Sequence, residues 1–517
     1  MTGTTAHDEV IDTDVCIVGA GPAGITLARE LDGHGVRVCL LEAGGRDLEP
    51  RFQRQSRGES RGYPLHRLDD ARVRALGGTL RHPKIWESGW AARPLDPIDF
   101  QAREGKPEFG WPFDREHLEP YYDHATALCG IPPFEAAYAD WAKELSPDGL
   151  SLTGSELETT VFQFPRTAFH DTWDLLSASS HVRLLLETRA VEIHLDGPRR
   201  RVDRVVAVRG SRERVEVRPR QVVFAAGGIE NARLLLTADD GRGLGNEHDL
   251  VGRYFAERLS FHAGHVVLAD KTSVDQLDMF HRPGAAQIGG ALRVTEKLQR
   301  EKDLLNVAFF LIPRPAAVST EAFQSLATLR KGLDRRPMVH GIGRHTRNVV
   351  TGVRDLVDFG MSRFAERPRV LALRAQGEQA PYRESRVTLG AKRDDLGIPV
   401  ARVTWRMTEE DHRSVEASAR VLDGVLRSRG LGHVEWTARL DSVTLVEGNH
   451  HHLGTTRMHT DPRWGVVDPD CRVHSVANLF MAGCSVFPTY GASNPTLTIV
   501  AMSVRLADRL REVLAQG

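Results

Sequence analysis

Between Glu447 and Ile499 the chain gathers three groups of reactive or positioning residues: His450-His451-His452-Leu453-Gly454-Thr455, then Ala482-Gly483, then Gly491-Ala492-Ser493-Asn494-Pro495-Thr496. An imidazole, with a pKa near neutrality, can take a hydroxyl proton while the carbinol hydrogen leaves as hydride. The carboxamide of Asn494 can hydrogen-bond the same hydroxyl without competing for its proton. Asn followed by Pro is equally the pattern of a helix N-cap with proline at the first helical position, and the two roles are compatible. A helix from about Pro495 to Leu510 would aim its positive end, at Pro495 and Thr496, toward the hydride acceptor. The chemistry this set points to is oxidation of an alcohol. A metal site is not expected: on an extended segment His450 and His452 share one face and His451 the other, and there is no H-E-x-x-H pattern or acidic ligand set beside them.

The acceptor must be held, and the N-terminal end supplies the place. Val15–Val18 is a short apolar run typical of a buried parallel strand, and it leads into Gly19-Ala20-Gly21-Pro22-Ala23-Gly24. The spacing from Ile25 to Leu31 predicts a helix, Gly33–Gly35 breaks it, and Val36–Leu41 predicts a second strand ending at Glu42. In such a β-α-β unit Gly19, Gly21 and Gly24 permit a tight turn and close approach to a pyrophosphate, and the helix N-terminus neutralises its charge. Glu42 follows Gly24 at 18 residues, near the spacing of about 20 at which a carboxylate accepts from an adenosine ribose hydroxyl. This motif does not separate FAD from NAD. Two later segments point to FAD: strand-like runs at Val205–Val208, Val215–Val217 and Gln221–Ala225 that end in Ala226-Gly227 before a helix, and Leu479–Ala482, a buried strand closed by Gly483.

With 68 Lys+Arg against 69 Asp+Glu in 517 residues, the formal charge of -1 gives no general attraction to nucleic acid or an anionic membrane. The length implies two to four structural units. The five cysteines (Cys16, Cys39, Cys129, Cys471, Cys484) form no C-x-x-C pair and are expected to be reduced and mostly buried, as in a cytoplasmic protein. Neither a membrane span nor an export leader is expected.

The chain resembles the glucose-methanol-choline (GMC) oxidoreductases, in particular bacterial members that act on sugars and polyols. The residues that carry the resemblance are the glycine motif, Leu76-Gly77-Gly78-Thr79, Arg93–Phe100, Trp111-Pro112-Phe113 with Tyr121-Tyr122, Ala226–Leu236, Val251-Gly252-Arg253, Gly377-Glu378-Gln379, and the C-terminal block. It implies FAD as cofactor, His451 as the base, Asn494 as the residue that positions the hydroxyl, and flavin contacts at Gly78 and Thr79. Gln379, Glu378 and Tyr490 fall where substrate would be met, with Tyr490 singled out from Trp86, Trp90, Trp111 and Phe487 as a sugar-stacking aromatic. Around Thr79–Trp90 the chain is longer and more basic than the family pattern. Some relatives carry a histidine there joined covalently to the flavin, which makes His82 a candidate for that link against the alternative of an exposed loop histidine.

The expected fold class is α/β: a Rossmann-like FAD-binding domain assembled from 1–50, 180–258 and 440–517, with a substrate domain from 51–179 and 259–439 that includes cap or lid segments. Arg386–Leu389, Val400–Trp405 and the runs after His262 are expected to form one antiparallel sheet over the flavin. A capped amphipathic helix is expected from Thr408 to Leu426, and the Arg- and His-rich segment 313–368 is read as a solvated face, a lid or a partner surface. The functional expectation is oxidation of a sugar, glycoside or polyol hydroxyl with oxygen or a quinone-like carrier as electron acceptor, in a protein that is a candidate homo-oligomer. Alternatives are oxidation of a primary hydroxyl of an aminoglycoside-type sugar, a redox-silent flavin lyase, and the dehydrogenase subunit of a larger complex.

Overall fold

The computed structural model describes residues 9–516, apart from isolated positions and the greater part of 83–89, 135–155, 166–171, 273–287, 313–369 and 437–449. The segment 313–368 and Trp86 therefore lie outside the described residues, save for a few scattered positions of the segment.

One sheet holds the nucleotide end. It consists of β1 (Glu9–Val18), β2 (Val38–Leu41), β5 (Val182–Leu185), β6 (Thr188–Leu195), β7 (Val202–Arg209), β8 (Glu213–Phe224) and β17 (Leu479–Met481), ordered β5-β2-β1-β8-β7-β6 with β17 also on β8. β5, β2, β1, β8 and β17 run parallel, and their buried runs such as Val15–Val18 are apolar because both faces are covered. Helix α1 (Pro22–Leu31) leaves the end of β1 with Pro22 in its first turn and buries Ile25, Leu27, Ala28 and Leu31.

Two sequence expectations are corrected in this sheet and its neighbour. Val215–Val217 and Gln221–Ala225 are not two strands but the one strand β8, because β1 pairs with it continuously from Glu9 to Val18. Pro219 is tolerated inside it because β7 leaves the other edge at Val217 and β17 joins only at Val222, so no ladder bond is lost there. Likewise β14 (Arg386–Arg393) and β15 (Pro399–Trp405) do not join the strands after His262. They form a separate sheet with β3 (Glu59–Gly62), which pairs parallel to β15. What draws them away is α3 (Gly228–Gly241): the hairpin packs on it, Arg233 donates to the Pro399 carbonyl at 2.7 Å, and Asp394 pairs with both Arg189 and Arg233.

The other large sheet is antiparallel throughout. It comprises β4 (Leu157–Gln163), β9 (Leu259–Leu268), β10 (Phe280–Arg282), β11 (Ile288–Val294), β12 (Val307–Ile312), β13 (Val370–Gly377) and β16 (Gly432–Trp436). Its register sets Phe310, Arg374 and His262 side by side in one row and Ala308, Gln376 and Ser260 in the next. Helix α4 (Glu409–Ser428) packs on this sheet, and its start is fixed by the expected capping box, Thr408 with Asp411. Near the C-terminus α5 (Thr496–Gln516) packs against α1 and against α2 (Glu119–Leu128), which puts the Asn494 end of the chain over the nucleotide sheet.

Candidate active site

The turn between β1 and α1 has room for a ligand on one side and none on the other. A Cβ at Gly24 would lie 1.9 Å from the Gly19 carbonyl oxygen, so that glycine is required for helix and strand to pack. At Gly21 a Cβ would meet nothing nearer than Gly78 Cα at 4.0 Å, and at Gly227 and Gly483 nothing within 4 Å. These open faces surround the volume a pyrophosphate and ribityl chain need. Gly77 N–H donates to the Ala20 carbonyl at 2.8 Å, tying the turn that carries Gly78 and Thr79 to the first motif. Glu42, buried at the end of β2, accepts from Ala20 N at 2.9 Å and Gly44 N at 2.8 Å, and its remaining lone pairs suit a ribose hydroxyl. Burial raises its pKa. The donor set and the open glycine faces fit FAD.

Asn231, which sequence reasoning passed over, clamps two of these loops. Its Oδ1 accepts from Ala226 N at 2.9 Å, and its Nδ2 donates to the Ala482 carbonyl at 3.1 Å and to Ser485 Oγ at 2.9 Å. The loops ending in Gly227 and Gly483 are thereby held together. Thr455 Oγ1 donates to the Gly228 carbonyl at 2.6 Å, joining the histidine block to the same junction.

The three histidines diverge: His450 turns to other elements, while His451 and His452 both face Glu257, with His452 Nε2 3.8 Å from its Oε2. His450 Nδ1 lies 3.1 Å from the Ala71 carbonyl, and its ring packs on that of His82 with centroids 4.5 Å apart. His82 closes the short turn Gly78–Arg81, so this contact puts it beside the histidine block. His452 is buried and stacks on Phe255. His451, 14% exposed at its side chain, has its backbone N–H held by the Glu257 carboxyl at 3.0 and 3.3 Å and its Nδ1 at 3.5 Å from Glu257 Oε1. Burial first, then the charge of Arg258 and the flanking His450 and His452, holds the imidazole well below the ordinary histidine pKa, so it is neutral at pH 7. Glu257, fully buried, is pushed up to about 8 by burial, against the lowering effect of the His451 amide.

Asn494 does not spend its side chain on the helix that follows. Its Oδ1 accepts from Arg258 Nη1 at 3.0 Å and from Gln376 Nε2 at 3.3 Å, and Ile499 N closes the first turn on the Pro495 carbonyl instead. With the oxygen so engaged, the amide is oriented with Nδ2 free among the described residues, and that end is a donor. His451 and Asn494, 43 residues apart in sequence, therefore meet at the adjacent residues Glu257 and Arg258, one contacting each. Neither Glu257 nor Arg258 was foreseen. The signal available was an ionisable pair directly ahead of the apolar run that becomes β9.

Three expected substrate contacts are instead parts of the scaffold. Tyr490 is 2% exposed, its hydroxyl accepting from Gln379 N at 2.9 Å and donating to the Glu257 carbonyl, so it offers no face for a sugar. Glu378 Oε1 accepts from the backbone amides of Tyr490 and Gly491 at 3.1 and 3.3 Å, and burial raises its pKa. Gln379 accepts from Trp405 Nε1 at 2.8 Å and donates to the Arg406 carbonyl at 2.6 Å. Together they hold the loop that carries Asn494. Trp111 and Phe487 are buried and pack on each other, as core aromatics do.

Known proteins share parts of this sequence and its fold. Residues 381–503 match the GMC oxidoreductase family model and residues 12–55 an FAD binding domain. The chain is 26% identical to 2-methyl-1,2-propanediol dehydrogenase of Mycolicibacterium austroafricanum over 98% of this chain and 96% of that protein. It is also 26% identical to paromamine 6'-oxidase of Streptomyces fradiae, over 98% and 92% respectively. The pyridoxine 4-oxidase structure from Mesorbium loti shares the fold, with a TM-score of 0.55 at 18% identity over 96% of this chain and 99% of the other. Among the described residues no helix is long and apolar enough to cross a membrane. The chain carries the C-terminal domain of the GMC oxidoreductases and an FAD binding segment, and it is an FAD-dependent oxidoreductase acting on CH–OH donors.

Proposed function

We propose that this enzyme oxidises a hydroxyl of a sugar, glycoside or related polyol, with His451 as the general base and Asn494 as the hydrogen-bond donor that holds the reacting oxygen. FAD, when bound, supplies the hydride acceptor. The observation that carries the reading is the placement of a neutral imidazole and an oriented carboxamide on one dipeptide, Glu257-Arg258. His451 takes the hydroxyl proton, and its low pKa keeps it ready to do so at neutral pH. Asn494 Nδ2 donates to the oxygen on which negative charge gathers as that proton leaves. Asn231 and the Tyr490–Glu378–Gln379 scaffold hold the surrounding loops. The stretches 1–50, 180–258 and 440–517 are assigned to the FAD half and the antiparallel sheet to the substrate half.

An aminosugar substrate has less support, because the carboxylate it would need at Glu378 is already taken by two backbone amides. The test is an anaerobic stopped-flow screen of sugars, glycosides, polyols and aminoglycosides for bleaching of the flavin absorbance, repeated in air to separate oxidase from dehydrogenase. Bleaching by a sugar or polyol supports the reading. A flavin that no alcohol bleaches, in a protein active on another substrate, would replace it with the redox-silent lyase.

A further inference from the structure

Arg258 carries a charge that the steps above do not use. It is 5% exposed, and among the described residues its guanidinium makes one hydrogen bond, to Asn494 Oδ1, and no ion pair with a carboxylate. Its Nε is buried without a partner. Other buried arginines pair with carboxylates, Arg93 and Arg293 with Asp96 and Arg189 and Arg233 with Asp394. Arg457, which like Arg258 has no carboxylate partner among the described residues, lies over the Tyr254 ring and donates to the Glu108 carbonyl. A buried guanidinium with no counter-charge is strongly unfavourable unless something else brings one.

Among the described residues no carboxylate pairs with Arg258. The carboxyl of Glu257, next in sequence, hydrogen-bonds the His451 amide rather than the guanidinium, and burial raises its pKa although the charge of Arg258 opposes that. A second cation, Arg374, lies on the same sheet face and donates from Nε and Nη2 to Ser260 Oγ at 3.0 and 2.8 Å. Arg374 also depresses the pKa of Arg258, after burial the largest cause. The guanidinium of Arg258 lies beside Asn494, and a guanidinium fork matches a carboxylate in shape as well as charge.

Building on the alcohol-oxidation reading, we infer that the natural substrate is a hydroxy acid of the sugar-acid type, whose carboxylate docks on Arg258 while the neighbouring hydroxyl faces Asn494 and His451. One carboxamide separates Arg258 from the donor atom at the hydroxyl, so the carboxylate lies close to the oxidised carbinol. The carboxylate itself is unchanged. At the carbinol the O–H and C–H bonds break and the C=O bond forms, the proton passing to His451 and the hydride to the bound FAD. A cationic aminosugar would be repelled from the same face.

The test compares matched pairs on the FAD-loaded enzyme: glucose with glucuronate and glycerol with glycerate, by anaerobic stopped flow. Calorimetric titration with cyclohexanecarboxylate and its carboxamide, neither of them oxidisable, reads binding without turnover. The expected results are at least about tenfold more efficient flavin reduction by the acid of a pair, and binding of the carboxylate over the carboxamide. In Arg258→Met the acid-to-neutral ratio should fall by about 100-fold, with partial recovery in Arg258→Lys. Equal binding of carboxylate and carboxamide, a preference for the neutral partner, or an unchanged ratio in Arg258→Met would overturn the inference. If Arg258→Met fails to fold or to hold FAD, the wild-type comparisons decide alone. Bleaching by neutral sugars with no acid preference removes this inference and leaves the alcohol-oxidation reading intact. Carboxylate binding with no bleaching by any alcohol does the reverse.

Discussion

Arg258 and Gln376 both donate to the carboxamide oxygen of Asn494, at 3.0 and 3.3 Å, and so fix which end of that amide faces the open site. Asn494→Asp keeps an acceptor for Arg258 but removes the N–H donor. The expected outcome is FAD retained and flavin reduction slowed by about 100-fold, the scale of losing one donor at a developing oxyanion. Stopped-flow reduction of the purified variant reads it, and a rate within threefold of wild type would remove Asn494 from the mechanism.

The pH profile tests the state of His451. A base works only unprotonated, so its rate falls as pH drops through its pKa, which here is well below the ordinary value because of burial and the nearby charge of Arg258. Flavin reduction should still be on its plateau at pH 6.5, where an exposed histidine would be about half protonated. A midpoint at 6.5 would show an imidazole in contact with water.

Glu257 adds a second feature. Burial pushes its carboxyl up to about 8, and its Oε1 lies 3.5 Å from His451 Nδ1. As pH rises through that value the carboxyl loses its proton, can accept Nδ1–H, and leaves Nε2 free as the base. The rate is expected to increase near pH 8, and Glu257→Gln to lack that increase while retaining FAD. An unchanged profile in Glu257→Gln would confine Glu257 to holding the His451 backbone.

Two glycines of one motif should fail in different ways. Gly21→Val puts its side chain where the nearest protein atom to a Cβ is 4.0 Å away, so the fold should survive and FAD should be lost. Gly24→Val drives into the Gly19 carbonyl and should lower the melting temperature of the cofactor-free protein itself. Flavin content and thermal unfolding of both, stripped of cofactor, check the contrast.

The β-α-β unit was legible because both strands are apolar on both faces and the glycines stand at fixed offsets, all local signals. The capping box of Thr408 and Asp411 was legible for the same reason. The site was only half legible. His451 and Asn494 stand in recognisable motifs, but Glu257 and Arg258 reach them from about 200 residues away, and no periodicity announces a contact of that range. Tyr490 misled because an aromatic in a pocket loop looks alike whether it faces ligand or, as here, spends its hydroxyl on Gln379 and Glu257. The β14–β15 hairpin misled because alternation predicts a strand but not its partner, which Arg233 and Asp394 decide.

The central claim is that the His451 imidazole removes the hydroxyl proton. Anaerobic stopped-flow reduction of FAD-loaded His451→Ala, beside wild type and with the same substrate, tests it most directly. The account predicts flavin bound in normal amount and reduced at least about 100-fold more slowly. Reduction at the wild-type rate across neutral pH would contradict it.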